Sequence, residues 1–571
     1  MVFICLDIET DNSQGFGLDP FRSKVVTLQL LYPSGEACII KDPENLEPLK
    51  PILERNIIVG TNLKFDTKFL KYRYGVKLTK VFDLMIAEQV LSGGELTGFT
   101  EGRSLKGLAF KYCGVKLDKT EQTGFKWGVS LTKAQEAYAV NDIKCLPLIL
   151  KQQQVKIKAA GLEAVINREM AAIPAVVWLE LSGMPLSLDK LKEIETKAQQ
   201  RKEELEAELQ VVLFIEKPQQ TLEKNFARAP INLNSSKQLL AALQAKGFKL
   251  GSTDKEALSV YASSPIIKKL LEYKTLQKRL SSFIKTLPDY INPVTCRIHP
   301  SFDQYGARSG RFSCRQPNLQ QQPSRDPKWR AIFKANPGHK IVAADYSQIE
   351  LRILGEVSAD REFIRAYTEG IDLHRLTASK IFKIPFEEVT KTQRSIAKTV
   401  NFGLNYGMGK NGLQTKLRND AGIEVSLEEA EQFIKDFRAA YLEATQYLDK
   451  ISQEGLLKLE LRNKAGRLLK LTVPKTEQDI GGTKREAKNL PIQSLCSDMI
   501  KDALKNIYAR LEPQGVLFIN TIHDELVFEC KEEQAEEVAK AVKEEMERAG
   551  SQYLTSIPVL VEVTVADTWK H

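Results

Sequence analysis

Two acidic residues lie close to the amino terminus in the sequence LDIET, where one residue separates Asp7 from Glu9. On a β-strand this spacing points both side chains to the same face of the sheet. Asp66 follows the apolar stretch IIVG, while Tyr138 and Asp142 have the spacing that places two residues on one side of a helix. Four carboxylates held together repel one another unless cations lie between them, and their oxygens can bind a pair of hard divalent ions that hydrolyse a phosphodiester. A charged, solvated strand face is the alternative for Asp7 and Glu9 taken alone.

A second group of residues recurs at every fourth position of RSIAKTVNFGLNYG, namely Arg394, Lys398, Phe402 and Tyr406. On an α-helix each such step drifts by only ~40°, so the side chains form one slanting stripe. Two cations followed by two aromatic rings suit a nucleotide, with the triphosphate against the cations and the base or sugar against the rings. A surface helix with one buried end is the alternative.

Three ionisable residues, His523, Asp524 and Glu525, interrupt the strand-like sequence INTIHDELVFEC. The flanking segments predict two arms of a β-hairpin with His523 and Asp524 at its turn, where charged groups can stay exposed. Asp345 lies where a strand passes into a helix in KIVAADYSQIELRIL. We expect the turn to lie beside the strand that ends at Asp345. A polar hairpin turn without chemistry is the alternative.

Hydrophobic patterning predicts the elements that must position these groups. Strands are predicted at 2–9, 24–33 and 36–41, with another in NIIVGTN and a helix at 131–154, so the chain to about residue 160 is typical of a compact α/β domain. A long charged helix is predicted at 187–213, further helices to about 290, strands at 295–303, helices over 360–460 and strands again near the carboxyl end.

Length and composition exclude several classes of protein. A chain of 571 residues should form several domains, because single cores rarely exceed ~250–300 residues. Its 43% hydrophobic and 27% charged residues are typical of a folded globular protein, and the net charge of +9 permits an anionic partner without requiring one. Eight scattered cysteines argue against structural zinc or a disulfide framework and favour a reducing compartment. The amino terminus does not predict a signal peptide, and no apolar run predicts a membrane span.

The acidic cluster resembles the active site of the 3′–5′ proofreading exonuclease family, whose members use three Asp, one Glu and a Tyr. The match comprises, in order, Asp7, Glu9, Asp66, Tyr138 and Asp142. The resemblance implies that the four carboxylates bind metal ions and that Tyr138 helps to position the attacking water.

The remaining motifs resemble those of the family A DNA polymerases. DYSQIELR, RSIAKTVNFGLNYG and HDE are similar to the three polymerase motifs of the family, and residues 309–323 and 484–494 to further family segments. The resemblance covers essentially the whole chain and corresponds to the large fragment of the bacterial enzymes, without their 5′-nuclease domain. It implies a multidomain α/β and α+β protein, with a ribonuclease H-like 3′–5′ exonuclease domain followed by a right-hand polymerase domain.

The implied boundaries place the exonuclease domain at residues 1–160 and the polymerase domain at 161–571. Within the polymerase domain the resemblance implies a thumb at about 185–290, a palm at about 291–355 and 465–571, and fingers at about 356–464.

The resemblance also assigns roles in nucleotidyl transfer. Asp345 and Asp524 would hold two metal ions with the help of the backbone carbonyl of Tyr346. Lys398 and Arg394 would bind the triphosphate, and Lys398 is a candidate proton donor to the departing pyrophosphate. Such chemistry depends mainly on positioning and on charge stabilisation.

Further contacts to the nucleotide are implied at His374, Gln348, Glu350, Phe402, Tyr406 and Arg325. Glu350 matches the position that excludes a ribose 2′-hydroxyl and is expected to hydrogen-bond Tyr406. Phe402 would pack against the sugar and, being Phe rather than Tyr, would discriminate against dideoxynucleotides.

Contacts to DNA are implied near the new base pair at Arg311, Asn318, Gln320, Arg485, Asn489, Gln493 and His523. The basic stretch 268–285 lies where the family has its thumb, and a grip on phosphates is expected at Lys274, Lys278 and Arg279. A solvated helix face is the alternative for this stretch.

The expected function is template-directed DNA synthesis from deoxynucleoside triphosphates with 3′–5′ proofreading, in DNA replication or repair. Each active site is expected to use two Mg²⁺ ions, with Mn²⁺ as a substitute. The expected partners are primer–template DNA, deoxynucleoside triphosphates and a single-stranded 3′ end, bound by a monomer without membrane attachment. The expected location is the cytoplasm of a bacterial or phage-infected cell, or an organelle that contains DNA.

Two other functions remain as alternatives. A single-subunit RNA polymerase shares parts of the polymerase motifs, but Glu350 and the complete exonuclease set speak against it. A 3′–5′ exonuclease with an inactive polymerase half used for DNA binding is the other alternative, and the intact set of Asp345, Lys398 and Asp524 speaks against it.

Overall fold

A computed structural model describes residues 3–95, 101–118, 120–121, 124–218, 226–323, 326–405 and 407–570. The strands are β1 (Phe3–Thr10), β2 (Val25–Leu31), β3 (Ala37–Lys41), β4 (Ile57–Gly60), β5 (Val81–Asp83), β6 (Phe214–Pro218), β7 (Phe226–Pro230), β8 (Ser301–Asp303), β9 (Ser313–Arg315), β10 (His339–Tyr346), β11 (Glu460–Arg462), β12 (Leu468–Lys470), β13 (Leu517–Ile522), β14 (Glu525–Lys531) and β15 (Val561–Ala566).

The α-helices are α1 (Lys50–Arg55), α2 (Leu63–Tyr74), α3 (Leu84–Leu91), α4 (Leu105–Cys113), α5 (Lys133–Lys144), α6 (Leu146–Ala159), α7 (Glu163–Ser182), α8 (Leu188–Val212), α9 (Ser236–Ala245), α10 (Lys255–Ser259), α11 (Pro265–Arg279), α12 (Pro327–Arg330), α13 (Ile349–Ser358), α14 (Arg361–Thr368), α15 (Leu373–Phe382), α16 (Lys391–Asn405), α17 (Lys410–Lys416), α18 (Leu427–Ala440), α19 (Leu442–Lys458), α20 (Glu477–Leu511) and α21 (Ala535–Ser551). Among the described helices, none combines the length and the apolar character needed to cross a membrane.

The chain divides into two compact units. The first contains Met1–Pro185, Asn292–Gln321 and Ala335–His571, and the second contains Leu186–Ile291 and Gln322–Lys334.

A five-stranded mixed sheet forms the amino-terminal part of the first unit. Its order is β3-β2-β1-β4-β5, with β1 antiparallel to β2 and parallel to β4. Ile4, Leu6 and Ile8 of β1 enter one apolar core, whereas Cys5 on the opposite face enters another. The three strands predicted first are confirmed. The helical pattern predicted at 131–154 is confirmed, but it forms two helices, α5 and α6. The chain breaks at Cys145, and Pro147 lies in the first turn of α6, where its missing N–H costs nothing.

A four-stranded antiparallel sheet lies further along the first unit, in the order β13-β14-β10-β15. The predicted hairpin is confirmed, since β13 and β14 pair and the turn between them contains His523 and Asp524. His523 has a positive φ of 55°, which closes this two-residue turn. Strand β14 pairs with β10 in a register that sets Asp345 opposite Glu525. The turn therefore lies beside the end of β10, as expected from the sequence.

Residues 360–460 are mainly helical, as predicted, in α14 to α19. The strands predicted at 295–303 are largely wrong, because only β8 forms there. The preceding residues contain a left-handed turn at Cys296 with φ of 56°, and Pro300 has no N–H for a ladder. Ile298 makes only an isolated bridge to Met184.

Buried ion pairs connect α7 to other parts of the first unit. Glu180 Oε1 lies 2.6 Å from Lys64 Nζ, and Glu180 Oε2 lies 2.6 Å from Lys68 Nζ, so one buried carboxylate holds two lysines of α2. These lysines lower the pKa of Glu180 to about 2 against the opposing effect of burial. Glu169, in the same helix, lies 2.6 Å from Lys501 Nζ of α20.

The second unit has its own hydrophobic core, to which α8, α9 and α11 all contribute. The predicted helix at 187–213 is confirmed, with Ser187 capping its first turn by accepting from Lys190 N. Leu205 and Leu209 of α8 pack in one cluster with Leu270 and Tyr273 of α11.

Candidate active sites

The first candidate site is a cleft of about 970 Å³ in the amino-terminal part of the chain. One oxygen from each of Asp7, Glu9 and Asp142 lies within 4.8 Å of the others. Asp66 and Tyr138 line the same cleft. The structure therefore brings together all the residues predicted for this site.

The fold explains how separate elements deliver these side chains. Strand β1 projects Asp7 and Glu9 into the cleft from the centre of the sheet. Helix α2 begins directly after β4, with Asn62 in the left-handed region at φ of 57°, and carries Asp66 in its first turn. Asp66 Oδ1 accepts a hydrogen bond of 3.0 Å from Ile8 N, which fixes this carboxylate against β1.

A buried carboxylate, Asp83, supports this arrangement and was not predicted. Its side chain accepts hydrogen bonds from Asn62 N at 3.2 Å and Leu63 N at 2.8 Å, and it also caps α3 by accepting from Met85 N. Burial raises the pKa of Asp83 to about 6. Its position before an apolar helix is the typical signal of an N-cap, but only the structure joins that cap to the turn that carries Asp66.

The electrostatics of this cleft favour the binding of cations. Burial, and then the charge of Asp7, raise the pKa of Asp66 well above its ordinary value. Burial and the neighbouring charges of Glu9 and Asp142 raise the pKa of Tyr138. Hard oxygen donors that repel one another at this range fit divalent cations, because a cation would relieve the repulsion.

The second candidate site is a cleft of about 500 Å³ at the four-stranded sheet. Its lining includes Asp345, Tyr346, Gln348, Glu350, Arg311, His374, Arg394, Lys398, Phe402, His523 and Asp524, all of them predicted, and also Glu562. Glu562 was not predicted. Its partner in the β10–β15 register is Asp345, so the sheet pairing explains its place.

Two carboxylates from the four-stranded sheet and its hairpin turn line the second cleft. Asp345 is the penultimate residue of β10, and Asp524 lies in the hairpin turn, where its backbone oxygen accepts from Tyr346 N at 3.4 Å. Burial and the charge of Glu350 raise the pKa of Asp524 to about 6. Glu525 points elsewhere, because its Oε1 accepts from Trp569 Nε1 at 2.8 Å in the interior.

Helix α16 supplies the cationic side of the second cleft. Arg394, Lys398 and Phe402 all line it, so the predicted stripe faces one space as far as Phe402. Tyr406, the last member of the stripe, lies outside the described residues. Arg394 Nε donates to Asp372 Oδ2 at 2.6 Å, a contact that joins α16 to the start of α15 and was not predicted.

His374 is held as a neutral ring. Its Nδ1 lies 2.8 Å from Asn401 Nδ2, which can only donate, so Nδ1 accepts and Nε2 carries the proton. Burial lowers the pKa of His374 to about 4. Asn401 was not predicted, because an amide on the buried face of α16 has no signature of its own in the sequence.

Glu350 forms an ion pair with Arg311, which joins two predicted residues that were assigned separate roles. The expected hydrogen bond from Glu350 to Tyr406 falls on a residue outside the described part of the chain. Gln348 begins α13 in the left-handed region at φ of 52°, and its Oε1 accepts from Tyr367 Oη at 3.3 Å.

The residues predicted to contact DNA are distributed over several elements. Arg485 borders a small pocket with Gly407–Gly412, and Gln320 Nε2 donates to Thr521 O at 3.0 Å. Asn318 Oδ1 accepts from Gln320 N at 3.0 Å. Asn489 and Gln493 are half-buried on α20. Arg325 lies outside the described residues.

The predicted phosphate-binding residues of α11 differ in their surroundings. Lys274 Nζ donates to Thr253 O, and Arg279 Nη1 lies 2.7 Å from Asp326 Oδ2. Lys278 is exposed. Both internal contacts join residues distant in sequence, so the density of positive charge alone could not predict them.

Comparisons with known proteins agree with this arrangement. The sequence model of "DNA polymerase family A" matches residues 191–571, and that of "3'-5' exonuclease" matches residues 3–157. DNA polymerase I of Aquifex aeolicus is 34% identical over 566 residues, which cover 92% of this chain and 90% of that protein. The thermostable DNA polymerase I of Thermus aquaticus is 33% identical over 422 residues, which cover 71% of this chain and 48% of the relative.

DNA polymerase I of Chloroflexus aurantiacus is 31% identical over 577 residues, and this chain spans 56% of its length. A solved structure described as the POL domain of Pol1 from M. smegmatis in complex with DNA primer-template and dNTP shares the fold, with a TM-score of 0.83 and 24% identity. That likeness covers 99% of this chain and 95% of the other. The chain belongs to DNA polymerase family A and is a DNA polymerase whose polymerase region follows a 3′–5′ exonuclease domain.

Proposed function

We propose that this polymerase extends a DNA primer at the cleft around Asp345 and Asp524, and removes 3′-terminal nucleotides at the cleft around Asp7, Glu9, Asp66 and Asp142. One observation carries the proposal. The cations Arg394 and Lys398 of α16 line the same cleft as the two carboxylates of the four-stranded sheet. That combination suits a substrate that brings both a triphosphate and bound metal ions.

In the polymerase cleft, Asp345, Asp524 and the carbonyl of Tyr346 would hold two Mg²⁺ ions, which Mn²⁺ could replace. The ions would acidify the primer 3′-hydroxyl and neutralise the triphosphate. Lys398 and Arg394 would bind the triphosphate, and Lys398 would give a proton to the departing pyrophosphate. Because Arg394 is paired with Asp372, triphosphate binding would exchange that partner for phosphate oxygens.

Selection of the sugar would depend on two other residues that line the cleft. Glu350 would exclude a ribose 2′-hydroxyl, and Phe402 would pack against the deoxyribose. His374 would donate from Nε2 to a phosphate oxygen as a neutral ring. Gln348, Tyr406 and Arg325 complete the proposed nucleotide contacts.

Two sets of residues would bind primer–template DNA. We propose contacts near the new base pair at Arg311, Asn318, Gln320, Arg485, Asn489, Gln493 and His523. Lys274, Lys278 and Arg279 would contact backbone phosphates, with Lys278 the most available because it is exposed.

The proposed domains are an exonuclease domain at 1–160 and a polymerase domain at 161–571, with the thumb at about 185–290. The compactness of the unit that contains Leu186–Ile291 supports that thumb. The palm would comprise about 291–355 and 465–571, and the fingers about 356–464. We propose that the protein acts as a monomer in the bacterial cytoplasm, in DNA replication or repair. The bacterial origin of its relatives supports the proposed location.

In the exonuclease cleft, the four carboxylates would hold two divalent ions against a single-stranded 3′ end. Those ions would activate water and stabilise the leaving oxygen. Tyr138, whose raised pKa keeps its hydroxyl protonated at neutral pH, would orient the attacking water.

The test compares Asp524→Ala and Asp7→Ala with the parent chain in magnesium buffer. With a primer–template and deoxynucleotides, Asp524→Ala is expected to lose synthesis by about 100-fold or more while it still degrades a single-stranded 3′ end. Asp7→Ala is expected to lose degradation and to keep synthesis. Glu525→Gln is the matched control for Asp524→Ala, because it removes the neighbouring carboxylate that is used in the interior.

Normal extension by Asp524→Ala would refute the assignment of the metal ligands. Extension with ribonucleotides at the rate of deoxynucleotides would instead favour an RNA polymerase. Degradation without any synthesis by the parent chain would favour an exonuclease with an inactive polymerase half.

A further inference from the structure

The backbone carbonyl of Gly310 is held by two side chains of α20. Ser497 Oγ donates to Gly310 O at 2.6 Å, and Lys501 Nζ donates to the same oxygen at 2.8 Å. Ser497 and Lys501 are buried and four residues apart, so they project from one side of the helix towards one acceptor. We call this oxygen and its two donors the carbonyl clamp. Neither residue of α20 belongs to the segments that resemble the polymerase motifs.

The carbonyl clamp acts on the peptide group that leads into Arg311, which lines the polymerase cleft and forms an ion pair with Glu350. The carbonyl of Gly310 and the nitrogen of Arg311 lie in one planar peptide group, so holding the oxygen fixes the plane from which Arg311 continues. On the other side of Arg311, its own carbonyl oxygen accepts from Gly306 N at 3.1 Å and from Ala307 N at 3.2 Å. The backbone of Arg311 is therefore held on both sides.

Gly310 lies directly against a second buried cation, Arg467. A Cβ added to Gly310 would lie 3.1 Å from Arg467 Cζ, and the φ of 78° would strain any residue with a side chain. Arg467 is fully buried, and its Nη2 lies 2.6 Å from Glu169 Oε1 of α7. The close approach leaves Gly310 little room to move away from its two donors.

Lys501 is itself fixed by Glu169. Lys501 Nζ lies 2.6 Å from Glu169 Oε1, and Glu169 Oε2 accepts from Gln304 Nε2 at 2.7 Å. Burial lowers the pKa of Lys501 to about 8 against the opposing charge of Glu169, so the side chain is mainly an ammonium group at pH 7. An ammonium has three donors, which allows Lys501 to pair with Glu169 and to bind the carbonyl of Gly310 together.

We propose that Ser497 and Lys501 are positioning residues of the polymerase site, which hold Arg311 in place through the carbonyl of Gly310. Neither side chain lines the cleft, so both act only through the loop that carries Arg311. The carbonyl clamp sets where this guanidinium meets Glu350 and the DNA near the new base pair. Correct placement of the primer end governs the rate of the chemical step, since small displacements of reacting groups slow a reaction strongly. This proposal rests on the role proposed above for Arg311.

The principal test is the Ser497→Ala variant of the full chain, assayed by primer extension with deoxynucleotides. Loss of one hydrogen bond to the carbonyl is expected to lower kcat for nucleotide incorporation by about fivefold. KM for primer–template should change by less than about twofold, because many phosphate contacts share the binding of DNA. Degradation of a single-stranded 3′ end should stay at the parent rate. Lys501→Met, which leaves Glu169 paired with Arg467, is expected to lower kcat by about tenfold.

The matched control is Ser494→Ala, one turn earlier on α20. Ser494 is also a buried serine with a hydrogen-bonded side chain, but its Oγ donates to Pro491 O at 3.1 Å and accepts from Asn463 Nδ2 at 3.0 Å. Its loss removes buried hydrogen bonds from the same helix without touching the carbonyl clamp. The kcat of Ser494→Ala should equal that of the parent chain.

A double-mutant cycle with Arg311→Ala tests whether the carbonyl clamp acts through Arg311. Arg311→Ala alone is expected to lower kcat by more than Ser497→Ala does. Once the guanidinium is absent, adding Ser497→Ala should change kcat by less than about twofold. A purely structural role of Ser497 would instead give the same fivefold loss in both backgrounds.

Several results would overturn the proposal. An unchanged kcat in Ser497→Ala would do so even if Lys501→Met failed to fold. Equal losses in Ser494→Ala and Ser497→Ala would assign the effect to the packing of α20, and additive losses in the cycle would show that Arg311 is not involved. Parent activity in Arg311→Ala would refute the role of Arg311 and with it the proposal. A parent chain that fails to extend primers would refute the polymerase function itself, a result distinguishable from all of these.

Discussion

The exonuclease and polymerase clefts both gather carboxylates, but they distribute charge differently. In the exonuclease cleft, oxygens of three carboxylates lie within 4.8 Å of one another and the cation Arg103 is buried. In the polymerase cleft, Asp345 comes from β10 and Asp524 from the turn between β13 and β14, and Arg394 and Lys398 are exposed on a separate helix. The cleft proposed to receive a triphosphate thus presents two exposed cations on one helix, whereas the cleft proposed to receive a 3′ end combines a close cluster of carboxylates with one exposed lysine, Lys106.

The largest expected effect concerns the cationic side of the polymerase cleft. Lys398→Ala is expected to lower kcat/KM for nucleotide incorporation by about 100-fold, because a fixed charge is lost where charge develops in the transition state. Degradation of a single-stranded 3′ end should stay at the parent rate. Lys391→Ala is the matched control, since Lys391 is exposed on the same helix and does not line the cleft. Equal losses in both activities would contradict the separation of the two clefts.

An intermediate effect concerns the burial of an ionised Asp66 beside Asp7 in the exonuclease cleft. The pKa of Asp66 is raised above that of the unfolded chain, so its ionisation destabilises the fold. The penalty is absent below the unfolded pKa, grows as the pH rises, and is complete above the folded pKa. In EDTA at pH 7, Asp66→Asn is therefore expected to increase the free energy of unfolding by roughly 1–3 kcal/mol.

Thermal unfolding with EDTA and with Mg²⁺ measures this effect. Magnesium should stabilise the parent chain more than Asp66→Asn. Asp524→Asn offers the comparison in the other cleft, where a pKa raised to about 6 predicts a smaller gain. A less stable Asp66→Asn in EDTA would show that the cost of burying the ionised carboxylate beside Asp7 is not the dominant effect at Asp66.

The smallest expected effect concerns His374. Because its pKa is lowered to about 4, the ring is neutral from pH 6 to 8 and contributes a hydrogen bond rather than a charge. His374→Gln is expected to slow nucleotide incorporation by about fivefold, as for the loss of one neutral hydrogen bond. The ratio of parent to variant rates should be constant over that pH range. A ratio that rises steeply towards pH 6 would show a charged imidazole instead.

Much of each cleft could be predicted because its residues belong to regular elements. Alternation in β1 predicts that Asp7 and Glu9 share one face of the sheet, and the four-residue step predicts that Arg394 and Lys398 align on one helix. Pairs that join distant segments had no such pattern. The contact of Arg103 with Asp303 spans 200 residues, and neither residue stands in a distinctive motif.

Local conformations were predicted less well for a different reason. Pro147 follows the break at Cys145 and is visible in the sequence. The helical periodicity on both sides of it nevertheless predicts one continuous helix. The neutral state of His374 depends on its contact with Asn401 and on its burial. Both arise only in the folded chain, so the sequence pattern does not predict them.

The buried carboxylate of Glu180 has a consequence for how such enzymes can be recombined. Glu180 lies outside residues 3–157, which match the exonuclease family. It nevertheless forms buried ion pairs with Lys64 and Lys68, which lie inside that range. A chimaera that received a foreign amino-terminal part without these lysines would bury an unpaired charge, at a cost of about 3–5 kcal/mol. An amino-terminal part with matching lysines would avoid that cost. We therefore expect Glu180, which takes no part in the chemistry, to restrict which amino-terminal parts can be combined with the rest of the chain.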